Sequence, residues 1–168
     1  MSAVMSEPAP AGRGINLETT VARRVWLAAL AKAQIRELEA AWEALADKPR
    51  YRVLRPAETG LVMLRGRIGG TGQPFNLGEM TMTRTAVQLL DAAGAATQTG
   101  FGHVAGRSAR RAELVAVFDA LLQDRERHDA LVATVVTPLA ARQQAAKTAL
   151  AAQVMATKVD FFTMVRSE

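Results

Sequence analysis

The chain has 168 residues, of which 49% are hydrophobic and 22% charged, a composition typical of one soluble globular domain. Cysteine is absent, which excludes disulfide bonds and thiolate ligation of zinc or an iron–sulphur cluster by this chain. No apolar stretch approaches the roughly 20 residues of a membrane span, and no signal-peptide pattern opens the sequence, so we expect a cytoplasmic protein. The formal charge of +5 is compatible with nucleic acid, an anionic substrate or an acidic partner.

The N-terminal part of the chain divides into a tail and a helix. Residues 1–14 are small and proline-bearing, which predicts a disordered tail ahead of a single domain over residues 15–168. Apolar residues at spacings of three and four then predict one long helix that ends before Pro49. The apolar stripe of this helix comprises Val21, Val25, Ala28, Ala31, Ile35, Leu38, Trp42 and Leu45.

The next segment, residues 51–70, predicts a β-hairpin with Thr-Gly at positions 59–60 as its tip. In that register Arg52 lies opposite Arg67, and Arg65 is on the same face. Like charges directly across a sheet disfavour pairing. We therefore expect a bound phosphate, a partner's carboxylates or a nearby carboxylate of this chain to compensate the three guanidinium groups.

The remaining elements predict the fold class. Threonine and valine alternate over residues 81–89, and residues 96–106 form a further candidate strand, so the sheet is expected to be antiparallel. Ser108 can cap a helix that runs to about residue 127, and Thr-Pro at 137–138 indicates the start of a last helix. The predicted fold is α+β, with an N-terminal helix, an antiparallel sheet of about four strands, and C-terminal helices.

The chain ends with the apolar segment "VDFFTMVRSE". Burial of each of its large apolar side chains is worth roughly 1.5–3 kcal/mol. We expect this segment to dock either on the chain's own core or on a neighbouring subunit.

A glycine run, "RGRIGGTG", lies at the end of the predicted hairpin. It lacks the Gly-Lys of a P-loop and does not open a helical pattern, so neither nucleotide-binding motif is present. The glycines either supply positive φ angles for a sharp corner or expose amides that contact an anion or a partner. The candidate anion or partner contacts are Arg65, Arg67, Gly69, Gly70, Thr71, Gly72 and Arg84.

Other chemical signals in the sequence are sparse. His103 and His128 have no metal-ligand companion at helical or hairpin spacing, so we expect no metal site. Glu58 and Glu79 are expected to balance arginines, and no carboxylate pair is spaced for acid–base work. No catalytic residue is identified.

Four motifs carry a resemblance to a known family. In order they are "RPAETGLVMLRGRIGGTG", "TRTAVQL", "VAGR" and "VDFFTMVR". The sequence resembles the PhnG family, whose members are the small subunit of the bacterial carbon–phosphorus lyase core complex, over about Val21 to Arg166. It departs from the family pattern at Ser108, where an acidic residue is expected, and at Thr85, where Ala or Cys is expected. Those two positions are poor candidates for a shared catalytic duty.

The resemblance implies a function in phosphonate breakdown. PhnG-like proteins act with PhnI, PhnH and PhnJ type subunits, and the complex transfers methylphosphonate onto the ribose C1 of ATP with release of adenine. The product is α-D-ribose 1-methylphosphonate 5-triphosphate. The resemblance implies a structural or supporting subunit of this transferase, inactive alone and without a cofactor. The iron–sulphur cluster and S-adenosylmethionine are expected on a PhnJ-like partner.

Two other readings remain open from the residues alone. A stand-alone, Arg-rich nucleic-acid-binding module would fit the charge, but the predicted sheet lacks the interleaved surface aromatics that stack on bases. We therefore expect neither a nucleic acid nor a membrane as partner. A self-sufficient enzyme is the third reading, which adenine release by the chain alone would support.

Overall fold

The computed structural model describes residues 17–157. It confirms the α+β fold, with helices before and after an antiparallel sheet of three strands instead of about four. The predicted N-terminal tail and the segment "VDFFTMVRSE" lie outside the described residues. The elements are α1 (Leu17–Lys32), α2 (Ile35–Glu43), β1 (Arg50–Arg67), β2 (Pro74–Leu90), β3 (Ala96–Ala105), α3 (Ala109–Leu121), α4 (Arg125–Leu131), a π-helical turn (Val132–Val136) and α5 (Thr137–Ala156).

The hairpin predicted within residues 51–70 is wrong. These residues belong mostly to one long strand, β1, which pairs antiparallel with β2 in the strand order β1-β2-β3. The chain reverses at the glycine run instead, where Gly69 and Gly70 adopt φ angles of 61° and 80° that favour glycine. Arg52 therefore pairs with Gln88 and not with Arg67, because the two arginines lie near opposite ends of β1.

The outer part of β1 and β2 forms a two-stranded ribbon, residues 61–81. β3 pairs with β2 only from Met82 to Leu90, so the ribbon extends beyond the three-stranded sheet. Its β2 arm, residues 74–81, spans roughly 27 Å. A register shift beside Leu64 bends the ribbon, and there Gly78 adopts a φ of 153°.

Helix α3 packs unusually close to the sheet because glycines face alanines at the contact. A Cβ added to Gly100 would stand 1.9 Å from the Ala116 carbonyl oxygen, and one added to Gly102 would stand 1.9 Å from that of Ala112. Glycine weakens an isolated strand, but here it removes the side chain that would hold the helix away. The core then forms around α3, where every residue from Leu114 to Leu121 is buried.

The N-terminal helix differs from its prediction in two ways. The predicted single helix is interrupted between α1 and α2. The Glu37 side chain accepts a hydrogen bond from the Gln34 backbone amide (2.8 Å) and so caps the start of α2. In α2 the predicted apolar stripe faces the core, with Leu38 buried and Ile35 and Trp42 half-buried, but in α1 Val21 and Val25 are exposed. The buried residues of α1 and of the break that follows it are Trp26, Ala29, Leu30 and Ala33.

The C-terminal helices begin where expected but are divided differently. The Ser108 side chain accepts a hydrogen bond from the Arg111 amide, which confirms the predicted cap of α3. α3 ends at Leu121, and Asp124 caps the separate helix α4. α5 begins at Thr137 as predicted, although the chain is already helical through the π turn that precedes it. Within residues 17–157, no helix combines the length and apolar character needed to cross a membrane.

Candidate functional site

A buried carboxylate joins α1, α3 and β3 behind the sheet. Asp119 is fully buried, and its two oxygens accept four hydrogen bonds from three residues. Arg23 binds it through two nitrogens (2.6 and 3.0 Å), the Trp26 indole N–H donates at 3.0 Å, and the Phe101 amide donates at 2.9 Å. These contacts satisfy the charge and place α1 against the edge of β3.

No local sequence pattern predicted this network. The only local signal was an acidic residue inside the otherwise apolar stretch of α3, Leu114 to Leu122. A charged residue in such a stretch is buried only when it is paired. Its three partner residues lie 18, 93 and 96 positions away in the chain, and no local pattern identifies them.

At the tip of the ribbon, the structure brings part of the predicted contact set together. Arg65, Arg67 and Gly70 line an open depression of about 490 Å³. The turn is hydrogen-bonded internally, because the Gly72 amide donates to the Ile68 carbonyl and the Gly72 carbonyl accepts from Arg67 (both 2.9 Å). The Gly72 amide is therefore not free to bind an anion. The glycine run forms a corner. Contact of the run, including Thr71, with an anion or a partner stays a prediction.

Arg84 does not lie with Arg65 and Arg67. It forms an ion pair with Glu58 at 3.2 Å, as expected for that carboxylate. Glu58 precedes Arg65 by seven residues, roughly 23 Å along β1. Because successive side chains of a strand alternate between faces, Arg65 and Glu58 also project from opposite faces of the ribbon. Arg84 therefore does not share one surface of this fold with Arg65 and Arg67.

A second polar site lies on the face of the sheet opposite α3, which we call the open face. Helix α3 contacts the face that carries Thr83, Thr85 and Val87, whereas Arg84 and Ala86 project from the open face. A pocket of about 500 Å³ opens there. Its lining comprises Leu54, Arg55, Arg84, Thr85, Ala86, Phe101 and His103.

The two positions that depart from the family pattern have structural duties. Thr85 is 3% exposed, and its hydroxyl donates to the Arg55 carbonyl at 2.7 Å. That bond holds β1 where its register against β2 shifts on both sides of Arg55. Ser108 caps α3. Both side chains therefore hold backbone groups of the fold in place.

The tyrosine at the start of β1 is also held by a carboxylate. The Tyr51 hydroxyl donates to Glu113 at 2.6 Å, and its ring meets Trp42 edge to face. Burial, followed by the hydrogen bond to Glu113, raises the pKa of Tyr51 above its usual value. The interaction ties the first residues of β1 to α3.

The histidines have unrelated surroundings. His128 meets the Trp26 ring edge to face and forms a 2.7 Å hydrogen bond with the Leu122 carbonyl, whereas His103 lines the open-face pocket. Among residues 17–157, no group of three or more histidine or acidic side chains is placed to hold a metal ion.

Comparison with known proteins assigns the class. The family model described as "Phosphonate metabolism protein PhnG" matches residues 21–167, and the chain therefore belongs to the PhnG family. A curated relative from Rhizobium meliloti (strain 1021) is 46% identical over 146 residues, which is 87% of this chain and 90% of that protein. That relative is named alpha-D-ribose 1-methylphosphonate 5-triphosphate synthase subunit PhnG. The resemblance seen in the sequence motifs is confirmed.

Proposed function

We propose that this chain is a subunit of a phosphonate-degrading complex that makes α-D-ribose 1-methylphosphonate 5-triphosphate. The complex transfers methylphosphonate onto the ribose C1 of ATP and releases adenine. PhnI, PhnH and PhnJ type subunits are its partners, and a cluster-bearing subunit supplies the iron–sulphur and S-adenosylmethionine chemistry. The name of the 46% identical relative supports the assignment to a synthase complex.

The observation that carries a supporting role is the ribbon, residues 61–81. An isolated two-stranded hairpin is marginally stable in water, yet this one extends roughly 27 Å beyond β3. Apolar side chains project from both of its faces, since neighbouring positions 63 and 64 are both apolar and exposed. Its exposed large apolar residues are Leu61, Met63, Leu64, Ile68, Phe75 and Leu77. This concentration of exposed apolar side chains on one projecting element supports a role in binding a partner protein.

The charges at the tip of the ribbon indicate what the partner presents. Within residues 17–157, the Arg65 side chain has no hydrogen bond or ion pair, and Arg67 contacts only the Gly72 carbonyl. A partner surface that covers this tip must therefore supply hydrogen-bond acceptors for two guanidinium groups. Carboxylates of a partner subunit fit best, because bidentate arginine–carboxylate contacts are strong and geometrically specific.

The test is co-expression of this chain, tagged, with candidate PhnI, PhnH and PhnJ type subunits. We expect the partners to co-purify, and adenine release from ATP plus methylphosphonate to require them. Replacing Ile68 and Leu77 by Ser should weaken assembly by tenfold or more, because each side chain loses roughly 1.5–3 kcal/mol of burial in the interface. The stability of the lone chain should hardly change, since these residues are 75% and 65% exposed.

The arginines are tested with a charge-matched control. The double variant Arg65→Ala/Arg67→Ala should lower assembly or turnover about tenfold or more. The double variant Arg24→Ala/Arg36→Ala removes the same charge from exposed helical positions and should behave as the unmodified chain. Normal assembly and turnover with both pairs removed would overturn the role of the tip. Adenine release by the chain alone would support a self-sufficient enzyme, and salt-sensitive binding to nonspecific DNA would support a nucleic-acid module.

A further inference from the structure

The open-face pocket combines residues from all three strands. Register brings Arg55, Ala86 and Phe101 into one row across the sheet, and Glu58, Arg84 and His103 into the next row. The pocket has an apolar part, Phe101 and Leu54, which are 44% and 48% exposed. It also has a basic part made of two guanidinium groups and an imidazole.

Arg55 is the uncompensated charge of this pocket. Within residues 17–157, its guanidinium has no hydrogen bond or ion pair, although its carbonyl is held by Thr85. Register shifts occur on both sides of it, between Val53 and Arg55 and again between Arg55 and Glu58. Such bulges redirect side chains, and they are frequent beside binding sites. The backbone is thus fixed where the side chain is free.

Arg84 is only partly neutralised. Its Nε and one terminal nitrogen contact the same oxygen of Glu58 at 3.3 and 3.2 Å, which leaves its second terminal nitrogen for another acceptor. Both side chains of the pair are more than half exposed, so the ion pair is weak. An incoming polyanion competes with Glu58 for Arg84 and meets no opposing charge at Arg55.

We propose that the open-face pocket binds the triphosphate of a nucleoside triphosphate of the ATP class. Arg55 and Arg84 grip phosphate oxygens, His103 donates a further hydrogen bond, and the base lies against Phe101. Planar guanidinium groups match the geometry of phosphate oxygens, and an aromatic ring can stack on any base. The assignment of ATP rests on the proposed function, and it adds a point at which this subunit itself touches the substrate.

The test is titration of the purified full chain with ATP, tripolyphosphate and adenosine at physiological ionic strength. We expect ATP to bind most tightly, tripolyphosphate less tightly and adenosine least. Arg55→Ala should weaken ATP binding at least about tenfold. Phe101→Leu should weaken ATP binding and leave tripolyphosphate unchanged. Glu58→Gln should strengthen binding about threefold, because it removes the carboxylate that competes for Arg84.

Arg52→Ala is the matched control. Arg52 lies on the same strand and is hydrogen-bonded to Gln88 (2.6 Å), outside the pocket, so its loss should change affinity by less than about twofold. The Arg55→Ala chain must retain the wild-type circular dichroism spectrum. Equal affinity of wild type and Arg55→Ala, or of Arg55→Ala and Arg52→Ala, would overturn the pocket, as would no binding by folded wild type.

A second measurement in the assembled complex separates this inference from the proposed function. There Arg55→Ala should raise the KM for ATP at least about tenfold and leave co-purification intact. Unchanged KM in a complex that assembles and turns over would refute the pocket and leave the subunit role standing. If the chain binds ATP through Arg55 but recruits no partner, the pocket is supported and the proposed subunit role is refuted.

Discussion

Replacing Gly102 by Ala tests the closest contact of the fold. An ideal Cβ at Gly102 would stand 1.9 Å from the Ala112 carbonyl oxygen, 2.8 Å from the Ala112 carbonyl carbon and 3.1 Å from the Ala116 amide. All three are backbone atoms of α3, so no side-chain rotation relieves the clash. An ordinary carbon–oxygen contact is roughly 3.3 Å, and the helix must therefore move by more than about 1 Å.

The magnitude follows from what α3 supports. A gap of about 0.5–1 Å already forfeits a quarter to a half of each dispersion contact, and nine residues of α3 are buried. Overpacking costs about 1–3 kcal/mol at sites that can relax, so we expect a loss of about 3 kcal/mol or more here. For a domain of this size that corresponds to a melting temperature lower by about 6–12 °C.

Urea and thermal unfolding followed by circular dichroism measure this loss. Gly60→Ala is the control, because no atom lies within 4 Å of its added Cβ and its backbone is not left-handed. It should change the free energy of unfolding by less than about 1 kcal/mol. If Gly102→Ala unfolded within about 1 kcal/mol of the wild type, α3 would not pack on β3 as described.

Two further predictions concern buried polar groups. Asp119→Ala should lower the free energy of unfolding by about 3–5 kcal/mol in urea titrations, because the Trp26 indole and the Phe101 amide lose their buried acceptor; a loss below about 1 kcal/mol would refute the network. Tyr51 is more stable as the neutral phenol in the folded chain, so its hydrogen bond to Glu113 contributes below about pH 10 and is lost as the pH rises through the raised pKa. The stability advantage of wild type over Tyr51→Phe should therefore shrink above about pH 10. Since this is the only tyrosine, the phenolate absorbance reports its titration directly, and an unshifted midpoint in the folded chain would contradict the contact.

The turn within residues 51–81 shows why local signals were insufficient for the sheet. Thr-Gly at 59–60 and the glycine run after Arg67 are both acceptable reversals by residue type. The outcome depends on β2, which pairs along almost the whole of β1 from Leu90 to Pro74. A turn at position 60 would have removed those ladder hydrogen bonds. Because the turn was predicted at residues 59–60, Arg52 was wrongly predicted to lie opposite Arg67.

The buried face of α1 shows the same limit for helices. Val21, Val25 and Ala28 form an apolar stripe, and so do Trp26 and Leu30. The second stripe is buried because the Trp26 indole reaches the carboxylate of Asp119 and the adjoining residues pack against α3. Periodicity identified the helix, but a distant acceptor selected its face.

The two candidate sites differ in how far they could be predicted from the sequence. Arg65 and Arg67 are two residues apart, so their shared position beside the turn followed from the sequence. The open-face pocket did not, because Arg55, Arg84 and His103 come from three strands and meet only through the register. Phe101 was likewise visible only as part of a glycine-rich strand.

By itself, the sequence determined the helical and extended segments, the capping by Ser108, the α+β class and the family motifs. These depend on backbone preferences and on neighbours within a few positions along the chain. Only the tertiary structure decided which faces are buried, which arginines share a surface and which residue lies opposite Arg52 in the sheet. Burial and charge compensation require atoms from distant segments, and folding alone brings those atoms together.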